Sequence, residues 1–260
     1  MKTPITYYGG KQNMLRHILP LIPEHKIYVE PFIGGGAVFW AKTPSKVEII
    51  NDTNQNITNF YQVVKNHYRK LQREIKATLH SRDMHRKAQV MYANPDMFSP
   101  LQRAWSVWVL ANQSFASIFN GGWAYANNDD GVEKRLDNKR QSFARDYALR
   151  LDRVQIECTD ALRIIKVRDT ENTFFYCDPP YFNSDCGHYK GYTEHDFKEL
   201  LETLAHVKGK FLLSSYPSEI LKAHIEKHGW YWTSVEKKVA VSKFSTKRKI
   251  EVLIANYPLA

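Results

Sequence analysis

At 260 residues the chain is long enough for one large domain, or a domain with a sizeable insertion, and it can bury a full core. A hydrophobic content of 43% with sparse glycine and proline excludes a disordered or fibrous polypeptide. The formal net charge of +10 favours a polyanionic partner without identifying it.

Three scattered cysteines, Cys158, Cys177 and Cys186, offer no disulfide framework and suit a reducing compartment. The N-terminus lacks the apolar core of a signal peptide, and no run approaches the ~20 apolar residues of a membrane span. The expectation is a cytoplasmic protein with no membrane partner.

The first motif is Tyr7-Tyr8-Gly9-Gly10-Lys11, followed by Met14, Leu15, Ile18 and Leu19 at helical spacing. A glycine pair before a helix lets backbone approach a ligand, and Lys11 would stand near the helix N-terminus. It is not a P-loop, since Ile5 stands where the first glycine belongs and Gln12 where Ser or Thr is needed. Taken alone, the motif reads better as an ordinary glycine turn.

Ile27–Glu30 reads as a strand, Pro31-Phe32-Ile33-Gly34-Gly35-Gly36 as a glycine-rich turn, and Ala37–Ala41 as an apolar helix. Strand, turn and helix together open a nucleotide-binding βα unit. The third glycine of Gly-x-Gly-x-x-Gly is missing, because Phe39 occupies its place, which disfavours a nicotinamide dehydrogenase. Lys46–Ile50 is the next strand, and Asn51-Asp52 closes it. An acid there, about 20 residues after the glycine turn, is placed to bond ribose hydroxyls. Asp52, Thr53 or Asn54 could equally cap the helix expected from Ile57 to Val64.

From His67 to about Arg150 the alternation of strand and helix lapses. Leu101, Trp105, Trp108, Val109 and Asn112 share one helix face and predict core packing. Gln113 to Tyr125 is broken by glycine and dense in aromatic and small polar residues, and Asn127–Gly131 reads as a turn. Lys134, Arg135, Lys139, Arg140 and Arg145 follow, a cluster suited to phosphates or simply to a solvated helix face.

The sheet then resumes with Val154–Cys158, closed by Thr159-Asp160. That acid is either a ligand at a strand's carboxyl end or a cap for Ala161–Ile165. The apolar run Thr173–Tyr176 leads into Cys177-Asp178-Pro179-Pro180-Tyr181, where two prolines end the strand. The motif offers a carboxylate and a carbonyl as acceptors, beside an aromatic face. Two acceptors suit the two hydrogens of an exocyclic amine on a flat base.

Asn183–Tyr192 reads as a loop able to act as a lid. Phe197, Leu200, Leu201 and Leu204 mark a helix, Lys210–Ser214 a strand, and Ile220, Leu221, His224 and Ile225 another helix. Trp232–Val241 and Lys249–Asn256 alternate as an antiparallel pair joined by the basic loop Ser242–Arg248. No His/Cys spacing suits a metal; Cys177, Cys186 and His188 come nearest, and no metal is expected.

Gly-Gly-Lys, Phe-x-Gly-x-Gly, an acid after the second strand, an inserted region and Asp-Pro-Pro-Tyr, in that order, resemble the Dam-like (D12 class) DNA adenine-N6 methyltransferases. The resemblance runs nearly the whole chain, to Thr246-Lys247-Arg248-Lys249. It implies an α/β fold, a doubly wound Rossmann-like methyltransferase sheet with an antiparallel C-terminal strand pair and an inserted, mostly helical recognition domain. Residues 1–66 and 151–260 would then form the catalytic domain and 67–150 the recognition domain.

The implied cofactor is S-adenosylmethionine and the implied partner double-stranded DNA. Cofactor contacts fall to Tyr7, Lys11, Glu30, Pro31, Phe32, Gly34, Gly36, Asp52, Asp160 and Asp178. The catalytic motif is Asp178, Pro179, Pro180 and Tyr181. Candidate DNA contacts are Asn120, Trp123, Lys134, Arg135, Lys139, Arg140, Lys243, Lys247 and Arg248. Tyr7 stands where these enzymes often carry Trp. Trp123-Ala124 replaces the usual arginine near Asn120-Gly121-Gly122, which leaves the target sequence open. Cytosine-N4 or RNA methylation, and a non-catalytic DNA-binding role, are the rival readings.

Overall fold

The computed structural model describes residues 1–125, 131–183, 192–238 and 248–259. Several expected features therefore lie outside the described residues. These are the turn at 127–130, most of the 183–192 loop with Cys186 and His188, and Ser242–Lys247 with Lys243 and Lys247. The Arg248 side chain lies outside them too.

In chain order the described elements are α1 (Leu15–Ile18), β1 (Ile27–Glu30), α2 (Ala37–Ala41), β2 (Val47–Asn51), α3 (Gln55–Ala77), α4 (Arg82–Ala93), α5 (Pro100–Gln113), α6 (Val132–Ser142) and α7 (Asp146–Leu151). There follow β3 (Val154–Glu157), α8 (Ala161–Arg168), β4 (Thr173–Cys177), α9 (Glu194–Ala205), β5 (Lys210–Ser215), α10 (Glu219–His228), β6 (Tyr231–Lys238) and β7 (Arg248–Ala255). The strands form one seven-stranded sheet in the order β3-β2-β1-β4-β5-β7-β6. β1 runs parallel to β2 and β4, and β4 parallel to β5, while β7 is antiparallel to both β5 and β6. This is the mixed α/β sheet with an antiparallel C-terminal pair that the sequence predicts.

By compactness the chain divides into two units. One comprises Met1–Asn13, Gly34–Ala41 and Asp52–Cys158; the other comprises Met14–Ile33, Lys42–Asn51 and Thr159–Ala260. In the second unit, alternate strand residues Val29, Ile49, Phe175, Phe211, Leu213, Val252 and Ile254 present one sheet face. Ile164 and Ile165 of α8, Phe197, Leu200, Leu201 and Leu204 of α9, and Leu221 of α10 cover it. Each large apolar side chain so buried contributes about 1.5–3 kcal/mol. Helix α9 starts at a capping box, with Thr193 and Asp196 bonding each other's backbone N–H, and α10 stops at Gly229 in the left-handed region.

In the first unit α3 is longer than the expected Ile57–Val64. It runs to Ala77 because Leu71 and Ile75 continue the buried face beyond Val64, although polar residues dominate the stretch. The helix crosses residues 66 and 67 without a linker, with a non-helical backbone only at His67. Trp108 and Val109 of α5 are fully buried, and the Trp105 indole donates to the Thr78 hydroxyl, so these tryptophans pack the core as expected. The start of the chain departs from a single regular helix. A 3-10 turn at Lys11–Met14 precedes the single turn of α1, and Pro20 sits in a second 3-10 turn, Leu19–Leu21.

Candidate active site

In the second unit, strands β1 and β4 are parallel neighbours, so their carboxyl ends open on the same edge. Glu30 ends β1 almost fully buried, and its carboxylate accepts the Tyr28 hydroxyl at 2.5 Å. Asp178 follows β4 directly and is half-buried, with Pro179 buried beside it. The Tyr181 hydroxyl donates toward two carboxylates, Glu251 at 2.9 Å and Asp178 at 3.2 Å. Its ring stands edge-on to Tyr216, with centroids 4.5 Å apart. Burial, then Asp178 and Glu251, push the Tyr181 phenol well above its ordinary pKa, so it stays protonated and acts as a donor.

Buried Tyr176 bonds the Ser214 hydroxyl at 3.0 Å. Its own pKa is raised by burial and then by the charges of Asp178, Glu30 and Glu251. Acids at the end of β1, directly after β4 and on β7 are therefore close enough for their charges to act on this ring. The Cys177 thiol, fully buried and pushed up by burial and then by Glu30 and Asp178, is no nucleophile.

Asn51, at the end of β2 and fully buried, ties two turns of this edge together. Its carboxamide donates to the Pro31 carbonyl at 2.9 Å and the Thr159 carbonyl at 3.0 Å, and accepts the Thr159 N–H at 3.0 Å. Asp160, next in chain, is exposed and caps α8 by accepting the Arg163 N–H at 2.9 Å. Of its two readings the cap is thus realised, through one carboxylate oxygen.

In the first unit, Gly34 and Gly36 have φ of +42° and +67°, a region that glycine enters without strain. A side chain at Gly35 would lie 2.7 Å from Tyr7 Cβ, so this glycine lets Tyr7 pack on the turn. Asp52 braces the turn from behind. One of its oxygens accepts the Gly34 N–H at 3.0 Å and the other the Asn54 N–H at 2.9 Å. Asn54, not Asp52, caps α3. Burial nevertheless raises the Asp52 pKa, against the lowering effect of those two bonds. Lys11 is buried, with its ammonium 3.1 Å from the Gly9 carbonyl.

The segment after α5 folds back on itself. Ser114 bridges Trp123 in antiparallel fashion, and the Phe115 N–H bonds the Gly122 carbonyl at 2.8 Å. At its turn Asn120 is exposed, and so is Phe115. Ala116 and Ser117 both carry positive φ, a strained conformation for residues with a Cβ. Trp123 is half-buried, tilted against His80 with centroids 4.6 Å apart and stacked on Tyr125 at 5.8 Å, with the Arg82 guanidinium over its ring.

The basic residues of α6 divide into two kinds. Lys134 and Arg135 are exposed. Arg140 donates to the Thr78 carbonyl at 2.7 Å and so holds the end of α3, while Lys139 is half-buried with a pKa lowered by burial and by Lys2.

The structure thus gathers Glu30, Asp178 and Tyr181 in one unit, and Tyr7, the glycine turn and Asp52 in the other. It adds Glu251 and Asn51, which the sequence did not single out. Among the described residues no group of three or more His, Cys, Asp or Glu could hold a metal ion. No described helix is long and apolar enough to cross a membrane.

Comparison with known proteins gives these motifs a family. The chain is 28% identical to the type II methyltransferase M1.LlaDCHI of Lactococcus lactis subsp. cremoris, over 96% of this chain and 93% of that protein. It is 27% identical to the type II methyltransferase M.MjaIII of Methanocaldococcus jannaschii, over 76% of each. To a DNA adenine methylase of Salmonella typhi it is 23% identical, over 97% of this chain and 94% of the other. Residues 7–241 match the D12 class N6 adenine-specific DNA methyltransferase model, and the chain belongs to that family.

Proposed function

We propose that this protein methylates N6 of adenine at a specific site in double-stranded DNA, using S-adenosylmethionine and a base flipped out of the duplex. The observation that carries the reading is the close approach of Tyr181 to Asp178, with hydroxyl and carboxylate 3.2 Å apart, which sets the acid and the aromatic ring of Asp-Pro-Pro-Tyr side by side. Family membership supplies the reaction class.

The donor set fits a cationic adenosyl cofactor. Glu30, Asp178 and Glu251 make the carboxyl edge of the second unit acidic, which favours a positive centre. Asp52 offers a carboxylate whose charge is costly without a ligand, a common sign of a binding role. Tyr7, Lys11, Pro31, Phe32, Gly34, Gly36 and Asp160 would complete the cofactor contacts. S-adenosylmethionine, when bound, supplies an electrophilic methyl group.

The chain's own residues do the rest. Asp178 and the Pro179 carbonyl accept the two N6 hydrogens, which turns the amine lone pair away from ring conjugation and makes it available. Pro180 lacks an N–H and so offers no competing donor beside these acceptors. Tyr181 stacks on the base, which cannot be reached inside the helix. Residues 67–150 serve as the recognition region on a catalytic domain of 1–66 and 151–260. Asn120 and Trp123 lie at base level, and Lys134 and Arg135 pair with phosphates.

The test is methylation-aware sequencing of DNA from cells expressing the protein, with mass analysis of the hydrolysed nucleosides. N6-methyladenine at one recurrent sequence is the expected product. N4-methylcytosine, modification confined to RNA, or no modification would overturn the proposal.

A further inference from the structure

The phenol of Tyr181 faces two carboxylates with a single proton to give. The distances are unequal: 2.9 Å to Glu251 and 3.2 Å to Asp178. Glu251 is only 2% exposed, on β7 opposite Val235 of β6, so its carboxylate has little water to bond and is fixed by its strand. Edge-on contact with Tyr216 restrains the same tyrosine ring from the side. A charge-assisted bond is the stronger the shorter it is, so the phenolic proton is drawn toward Glu251.

From this geometry we infer that Glu251 is a positioning residue for methyl transfer, holding the Tyr181 hydroxyl and its proton away from Asp178. The inference rests on the roles proposed above for Asp178 and Tyr181. Asp178 needs its oxygens as acceptors for an amine hydrogen. A phenol that donated to Asp178 alone would occupy one of those acceptor sites and withdraw electron density from the carboxylate. With Glu251 in place the tyrosine keeps its ring orientation and the aspartate keeps its acceptor.

Four variants test this: Glu251→Ala, Glu251→Gln, Tyr181→Phe and the double variant Tyr181→Phe/Glu251→Ala. Two readouts are taken with the full chain: the single-turnover rate of tritium transfer from labelled S-adenosylmethionine to unmethylated duplex DNA, and cofactor affinity by calorimetry. E251A should slow the single-turnover step about ten- to a hundredfold, less than the roughly hundred- to thousandfold cost of removing a donor in direct contact with the reacting group, with cofactor affinity unchanged within about twofold.

E251Q keeps an oxygen acceptor for the phenol and should recover most of that loss. The decisive comparison is the double variant. With no phenolic proton left to misdirect, it should be faster than E251A and match Y181F within about threefold. A wild-type rate in E251A would overturn the inference. So would a double variant slowed by the product of the two single effects, which is the behaviour of a merely structural glutamate. Failure of the proposed function is distinguishable, because the wild-type protein would then place no label on adenine in duplex DNA.

Discussion

Replacing Asn51 should be among the most damaging single changes in the second unit, although the side chain lies outside the Asp-Pro-Pro-Tyr motif. Its carboxamide is fully buried and makes three bonds, to the Pro31 carbonyl, the Thr159 carbonyl and the Thr159 N–H. Asn51→Ala removes all three partners at once. Each buried polar group left without a partner costs about 1–3 kcal/mol, and water entering the small cavity recovers part of it, so the net loss should be about 3–5 kcal/mol. For a chain of this size that lowers the midpoint of thermal unfolding by roughly 10–15 °C.

Asn51→Asp is the sharper control. It preserves the acceptor for the Thr159 N–H but replaces the donor to two carbonyls by negative charge, so it should be at least as destabilising at neutral pH. Urea and thermal unfolding followed by circular dichroism measure both variants. A loss under about 1 kcal/mol for N51A, or an N51D protein as stable as wild type, would refute the reasoning that this side chain holds the two turns.

Three further outcomes follow from the same structure. Burial holds the Asp52 carboxyl above the ordinary range, so its stability contribution is present at acid pH and is lost as pH rises from about 3.9 through the raised value. The stability of wild type relative to Asp52→Asn should therefore fall across that window in urea unfolding, and a pH-independent difference would contradict the assignment. A Cβ on Gly209 would lie 2.5 Å from the Thr173 carbonyl oxygen and 2.9 Å from that of Thr170. Gly209→Ala should thus cost about 1–3 kcal/mol by overpacking, and an unchanged melting temperature would show that the turns leading into β4 and β5 yield more easily than this. Lys134→Ala and Arg135→Ala should each reduce the salt dependence of DNA affinity by about one phosphate contact, read from binding titrations at several salt concentrations; an unchanged slope would place α6 off the DNA.

The sheet and its order of elements were legible because short apolar runs bounded by turn residues are a strong signal for strands. The glycine turn was legible too, and the positive φ of Gly34 and Gly36 supplies its physical cause. Asp52 and Asp160 each carried a helix-cap reading beside the ligand one, and only the structure decides the caps: Asn54 takes the one before α3, whereas Asp160 itself caps α8. Glu251 could not be found by pattern. Alternation along β7 would turn Ile250 inward and Glu251 outward, yet Ile250 is 46% exposed and Glu251 2%. Asn51 read as a polar residue at the end of a strand, because nothing in its neighbours reveals bonds to Thr159, far along the chain. Nor does spacing distinguish Arg140, which bonds a carbonyl inside its own unit, from Lys134 and Arg135 on the exposed side of the same helix.

The most direct test of the central claim is the single-turnover rate of Asp178→Ala on duplex DNA, measured beside its affinity for S-adenosylmethionine and with mass analysis of the labelled nucleoside. Loss of one preorganised partner of the reacting group should cut formation of N6-methyladenine by at least about a hundredfold, while much of the cofactor binding remains. Turnover near the wild-type level in this variant would contradict the role given to the Asp178 carboxylate.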